Sequence, residues 1–348
     1  MNETESQIAA LGVYLNRDVT SVDTVRGPQA IFRAQPGAYL ESLKPLGTID
    51  CYQTERAAAF GLERLGFPVV PSLVGPFTQI IVFATKHREE VLHHLALATR
   101  LLREGGRLVV VAANGLGAPS LERRLIELLG SADAFSKHKC RVLVAIKEAA
   151  RINAPLRTQW EAAGALRQVI GGAFFSAPGM FSWKAIDPGS RLLAAHLPST
   201  IKGRGADLGA GYGVLSHALL SRCQGLEALT LIESEGKALE AARINLESQS
   251  HPAALDFIWA DVTQGIPLKE LDFVVTNPPF HAGKGAVPWL GRCFIREAFS
   301  ALKIGGRLWF VANRHLPYEG EIEGNGLIQT VIEADGFKVI EAIKVKGA

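Results

Sequence analysis

The chain has 348 residues, 48% of them hydrophobic and 20% charged, with a formal net charge of +3. That is enough chain for two domains with separate cores, and the composition excludes a disordered or low-complexity protein. The small positive balance permits an anionic partner without demanding one, so local clusters of charge must decide.

The N-terminal stretch MNETESQIAALGVYLN begins acidic and lacks the basic-then-apolar order of a secretory signal. No apolar run reaches the length that spans a bilayer. Cys51, Cys140, Cys223 and Cys293 are scattered, without paired or histidine-flanked spacing. Buried free thiols and no metal site are expected, in a cytoplasmic protein that does not meet a membrane.

In the first half, FTQIIVFATKH (77–87) reads as a strand followed by a helix, and LLREGGRLVVVA (101–112) as a helix ending at Gly-Gly before a second strand. The second half repeats this. LDFVVTNPPFH (271–281) precedes a helical stretch, and ALKIGGRLWFVA (301–312) closes it. Strand, helix, Gly-Gly and strand recurring at this distance predict a duplicated α/β domain. The copies differ at the strand end, with Ala84-Thr85-Lys86-His87 where the second has Asn277-Pro278-Pro279-Phe280. Residues 1–100 hold no glycine-rich turn, so the first copy reads as a degenerate scaffold. Pro and Gly accumulate near 155–175, which places the boundary between domains 1–165 and 166–348.

Between the repeats, residues 136–168 carry Lys137, Lys139, Arg141, Lys147, Arg151, Arg157 and Arg167 against Glu148 and Glu161. Such a run is commonly a solvated face. In a domain without a cofactor site it is also a candidate for RNA backbone binding, with Lys137, Lys139 and Arg141 as its centre.

The second half carries the chemistry. ADLGAGYGVLSHALL (206–220) sets Asp207 at a strand end, then Gly209, Gly211 and Gly213, then a helix. Such glycines let the backbone approach a ligand at a helix N-terminus, or merely turn tightly. ALTLIE (228–233) ends in Glu233, placed for ribose hydroxyls, or for solvent at the head of a helix. LDFIWADV (255–262) ends near Asp261, suited to an adenine amino group or to an N-cap. The fourth strand ends in Asn277-Pro278-Pro279-Phe280, where two prolines stop the ladder and hold the amide, carbonyls and ring rigidly. Ligands of open α/β sheets bind at that edge.

These four strand ends, in this order, resemble the class I S-adenosylmethionine-dependent methyltransferases that act on planar nitrogens. GMFSWKAIDPGSRLLAAHLP (179–198), NPPFHAGKG (277–285), LWFVANRHLPYEG (308–320) and GFKVIEAIK (336–344) look like the ribosomal RNA guanine-N2 methyltransferases of the RsmC/RlmG type. The resemblance implies two tandem Rossmann-like domains, the N-terminal one degenerate and the C-terminal one catalytic. It implies S-adenosyl-L-methionine as cofactor, held by Asp207, Gly209, Gly211, Gly213, Glu233, Asp261 and Asn277. Asn277 and the Pro278 carbonyl would accept from the target amine while Phe280 stacks on the base, with His281 and Lys284 near the phosphates. Phe181, Ser182, Asp187 and Gly189, ahead of the first strand of this half, are placed to close over the cofactor, with core packing the alternative for Phe181, and Tyr318 is a candidate for the base pocket. Ala210 and Tyr212, where the family commonly has small residues or Cys, and Glu233, where it often has Asp, are departures.

The implied reaction is methylation of guanine N2 in ribosomal RNA, with the small subunit preferred, by a monomer acting on RNA or on a ribosomal subunit. Adenine N6, a glutamine amide, or a non-catalytic assembly role remain the alternatives at this point.

Overall fold

Short β-branched and aromatic runs alternate with amphipathic stretches along the chain. In the computed structural model they form two α/β units, Met1–Ala165 and Leu166–Ala348. The described residues are 1–17, 26–279, 281–282, 285–286 and 288–346.

The first unit has strands β1 (Gln29–Phe32), β2 (Ile49–Tyr52), β3 (Val69–Val70), β4 (Phe77–Phe83), β5 (Leu102–Ala113), β6 (Asp133–Lys137) and β7 (Cys140–Ile146). Its helices are α1 (Glu3–Arg17), α2 (Tyr39–Leu43), α3 (Arg56–Arg64), α4 (Arg88–Leu101), α5 (Ala118–Leu129) and α6 (Ala154–Gly164). The sheet order is β3-β2-β1-β4-β5-β7-β6, parallel except for β7, which runs against β5 and β6. Every residue of β4 is buried, as expected for a central parallel strand covered on both faces. Leu95, Leu125 and Val110 fill one face, and Leu11, Leu40 and Val109 the other.

The second unit adds β8 (Arg167–Val169), β9 (Phe174–Ser176), β10 (Lys202–Leu208), β11 (Gly225–Glu233), β12 (Ala254–Trp259), β13 (Leu271–Thr276), β14 (His281–Ala282), β15 (Gly285–Ala286), β16 (Leu302–Asn313), β17 (Gly326–Ala334) and β18 (Phe337–Lys344). Its helices are α7 (Pro188–His196), α8 (Val214–Arg222), α9 (Gly236–Glu247) and α10 (Pro288–Ala301). The main sheet runs β12-β11-β10-β13-β16-β18-β17, the first sheet's order strand for strand.

The duplication extends to single hydrogen bonds. Phe77 pairs with Leu102 and Gln79 with Arg107, so the register shifts across the first Gly-Gly. Leu271 with Leu302 and Phe273 with Arg307 repeat that shift in the second copy. The helices end before the glycines, which sit inside β5 and β16 as bulges instead of closing the helices. Gly105 (φ +69°) and Gly305 (φ +81°) supply the left-handed turn. A lysine closes each bulge: Lys147 Nζ donates to Leu102 O at 2.5 Å, and Lys344 Nζ to Leu302 O at 2.8 Å. Burial holds both ammonium groups below the ordinary lysine range.

The registers also correct the sequence alignment of the copies. Val82 pairs with Val110 and Thr276 with Phe310, so Phe83, not Ala84, occupies the place of Asn277. By the same reckoning Ile31 stands at Asp207, Arg33 at Gly209 and Gln53 at Glu233. Arg33 takes positive φ (54°) as Gly209 does, but its guanidinium reaches Thr54 Oγ1 and approaches Glu90. The Gln53 amide turns inward to Ala34 O at 2.7 Å. Side chains therefore fill the first unit where the second leaves bare backbone and carboxylates.

Candidate active site

β10, β11, β12 and β13 are mutually parallel neighbours, so their carboxyl ends share one edge of the sheet. Asp207, Glu233, Asp261 and Asn277 are brought to that edge together. A recess there is lined by Phe181, Ser182, Asp187, Ser190, Gly209, Ala210, Gly211, Tyr212, Val214, Leu215 and Asn277.

The glycine loop is anchored by two amides, Gly209 N–H and Ala210 N–H, which donate to Ile232 O at 2.9 and 3.2 Å. Gly209 sits at φ +68°, and a Cβ there would lie 3.1 Å from Phe294 Cε1. Neither the conformation nor the space suits another residue. Gly213 then opens α8. Asp207 is fully buried, and its Oδ2 accepts from Ser216 N–H (3.1 Å) and Ser216 Oγ–H (2.7 Å). Its Oδ1 is buried with no partner among the described residues. Burial pushes the carboxyl up to about 7, Ser216 pulls it back, and the Glu233 charge raises it further.

Glu233 is half-buried at the end of β11. Its Oε2 accepts from Gly211 N–H and its Oε1 from Glu235 N–H, both at 2.8 Å. Burial again raises it, against those backbone donors. Two carboxylates with costly negative charge, one with an orphaned oxygen, beside a bare backbone loop form a site suited to a cationic ligand. Asp261 Oδ1 accepts from Thr263 N–H (2.9 Å) and Thr263 Oγ1–H (2.7 Å), so it caps the turn at Val262–Gln264. The capping role and a ligand role for Oδ2 are compatible.

Asn277 is the last piece. Its Nδ2 donates to Asp187 Oδ2 at 2.9 Å and to Ser190 Oγ at 2.8 Å, and Pro278 behind it is buried. Phe280 and Lys284 lie outside the described residues, and His281 is described only as backbone in β14. Asp187, expected over the cofactor, lines the recess and also caps α7 through Ser190 N–H at 2.9 Å. Ser190 was not legible as a site residue. The Asp-Pro-Gly-Ser run signals a helix start, but nothing in it points to a partner ninety positions away.

Phe181 is 61% exposed at the recess, which removes core packing as its role. Tyr212 is buried, with its hydroxyl 3.3 Å from Ser182 O and its ring edge-on to Phe174. The departure from a small residue thus ties the glycine loop to the segment before α7. Tyr318 does not line a base pocket. It is 1% exposed under α10, where Gly291 makes room for its ring.

The basic stretch is less uniform than its sequence. Lys137 and Lys139 stand exposed at the β6–β7 turn, where His138 and Lys139 take positive φ (51° and 57°). Arg141 pairs with Glu122, Lys147 closes the β5 bulge, Arg151 pairs with Glu148, and Arg157 with Glu161. Arg167 belongs to the second unit, stacked over Trp183. Among the described residues no group of three or more His, Cys, Asp or Glu could hold a metal, and no helix is long and apolar enough to cross a membrane.

Comparison with known proteins agrees with this geometry. Residues 171–341 match the model of the methyltransferase small domain. A ribosomal RNA small subunit methyltransferase C of Pseudomonas paraeruginosa is 33% identical over 77% of this chain and 80% of its own length. One from Sodalis glossinidius is 31% identical over 82% of this chain and 80% of its own. The solved structure of the T. thermophilus 16S rRNA N2 methyltransferase RsmC, in complex with AdoMet and guanosine, superposes with a TM-score of 0.75. It is 25% identical and covers 94% of this chain and 92% of its own. With such identity sustained over most of its length, the chain belongs to the ribosomal RNA small subunit methyltransferase C family.

Proposed function

We propose that this protein transfers a methyl group from S-adenosyl-L-methionine to the exocyclic N2 of a guanine in small-subunit ribosomal RNA. The observation that carries the proposal is the Asn277 amide, fixed at the end of β13 in the recess that the glycine loop also lines. The family supports the substrate class, since the T. thermophilus relative carries AdoMet and guanosine.

Bound S-adenosyl-L-methionine supplies an electrophilic methyl on a sulfonium. The residues present fit that group. The glycine loop leaves backbone free beside it, the orphaned Asp207 Oδ1 can accept from an ammonium, and Glu233 keeps lone pairs for ribose hydroxyls. Asp261 Oδ2 would accept from an adenine amino group.

An exocyclic guanine amine is a weak nucleophile because its lone pair is delocalised into the ring. Asn277 Oδ1 and the Pro278 carbonyl accept from its two N–H bonds, which strengthens as the nitrogen pyramidalises and becomes positive. Alignment by these two acceptors supplies much of the remaining acceleration. After transfer the nitrogen releases one proton to water, and no general base is needed. Phe280, His281 and Lys284 would hold the base and its phosphates. Lys137 and Lys139 of the first unit would add non-specific backbone affinity. The protein works as a cytoplasmic monomer with no metal.

The test is incubation of the purified protein with labelled S-adenosyl-L-methionine and small-subunit RNA, free or assembled, followed by nucleoside analysis. Label in N2-methylguanosine is expected. Label in N6-methyladenosine would overturn the acceptor, and no binding of S-adenosyl-L-methionine by calorimetry would overturn the enzyme reading.

A further inference from the structure

We infer that Asp187 and Ser190 are positioning residues that fix which end of the Asn277 amide meets the acceptor amine. The inference rests on the catalytic role of Asn277 proposed above. An amide presents either an oxygen that accepts or an NH2 that donates, and only the oxygen can hold an amine hydrogen. An ionised carboxylate is acceptor-only, so the amide end facing Asp187 Oδ2 at 2.9 Å must be the NH2. The second N–H goes to Ser190 Oγ at 2.8 Å. Both hydrogens are thereby used, and Oδ1 is left as the end without a partner among the described residues.

Asp187 is itself held. The same Oδ2 accepts from Ser190 N–H at 2.9 Å at the start of α7, where Pro188 presets the backbone. Gly189 keeps the turn close, since a Cβ there would lie 3.1 Å from Asp187 Oδ2. Reversing the amide would set oxygen against the Asp187 carboxylate and forfeit that hydrogen bond, even with the Ser190 hydroxyl turned to donate. The arrangement also accounts for Asn in place of Asp at 277. A carboxylate there would face another across 2.9 Å, with only the Ser190 hydroxyl able to donate to it.

The test is a swap. Asp187→Asn lets a side-chain NH2 pull Asn277 Oδ1 toward it, and Asn277→Asp opposes two carboxylates. Each single variant should lose about 10–100-fold in kcat, the range for loss of a group that orients a reactive one. Asp187→Asn combined with Asn277→Asp restores one donor and one acceptor across the pair, at the cost of the Ser190 N–H bond that the same Asp187 oxygen accepts. Its kcat should recover to within about 10-fold of wild type, a strongly non-additive result for residues in contact. Ser190→Ala should lower kcat about 3–10-fold at unchanged KM for S-adenosyl-L-methionine, as for one missing orienting bond.

Wild-type kcat in Asp187→Asn, or a double variant no better than the worse single, would overturn the inference. Should the double variant not fold, unchanged kcat in Ser190→Ala overturns it and a kcat-only loss supports it. Asn277→Ala at full turnover would instead refute the catalytic role of Asn277, so the two failures are distinct.

Discussion

The backbone N–H of Gly211 donates to Glu233 Oε2 at 2.8 Å, tying the glycine loop after β10 to the end of β11. One carboxylate therefore shapes the loop that lines the recess.

Glu233→Gln keeps an acceptor for only one of its two backbone donors, because the NH2 end must then oppose either Gly211 N–H or Glu235 N–H. Affinity for S-adenosyl-L-methionine should fall by roughly 10–100-fold, through the missing charge-assisted bond and one unsatisfied donor. Turnover at saturating cofactor should change little. Calorimetry and steady-state kinetics separate the two, and a fall in kcat alone would contradict the role.

The four strand ends were legible because each pairs a distinctive residue with a strand, and a parallel sheet brings such ends to one edge. Phe83, not Ala84, is the counterpart of Asn277; the equal-length stretches 77–87 and 271–281 align that way without a gap, and the strand registers agree. What failed was anything decided by contact across the sheet. Tyr318 went under α10 because Gly291 opens a space there, a fact about a neighbouring element. The basic run looked uniform because Arg141 and Lys147 find their partners, Glu122 and the Leu102 carbonyl, outside it.

Burial raises Asp207 to about 7, well above its unfolded value. Between about pH 4 and 7 the folded chain keeps a proton that the unfolded chain has released, so this group makes stability fall as pH rises through that window. Asp207→Asn removes the penalty and still accepts from Ser216. At pH 8 it should be more stable than wild type by about 1–4 kcal/mol, shrinking toward pH 4, since a tenfold change in proton affinity is worth about 1.4 kcal/mol. Urea unfolding at both pH values checks this, and equal stability at pH 8 would contradict it. Cofactor affinity should fall in the same variant.

Gly209→Ala meets two obstacles, φ +68° and the Phe294 ring 3.1 Å from the new Cβ. A loss of about 1–2 kcal/mol in unfolding free energy is expected from the left-handed conformation alone. Weaker cofactor binding should accompany it. Wild-type stability and affinity together would show that the loop tolerates a side chain.

Lys137 and Lys139 are exposed at the hairpin turn, whereas Arg141 is paired with Glu122. Neutralising the two lysines should weaken RNA binding and leave cofactor affinity alone. The log–log salt dependence should flatten by about 0.7–0.9 for each phosphate that a lysine no longer neutralises. RNA affinity and slope both unchanged in filter binding would make the lysines solubilising side chains only.

The proposed reaction is methylation of guanine N2 in small-subunit RNA through Asn277. Its most direct measurement is nucleoside mass spectrometry of small-subunit RNA from a strain lacking the gene, complemented with wild type or with Asn277→Ala. The expected result is loss of one N2-methylguanosine, restored by wild type and not by a stably expressed Asn277→Ala, whose turnover should be down roughly 100-fold or more. An unchanged N2-methylguanosine content in the deletion strain, or full restoration by Asn277→Ala, would contradict the account.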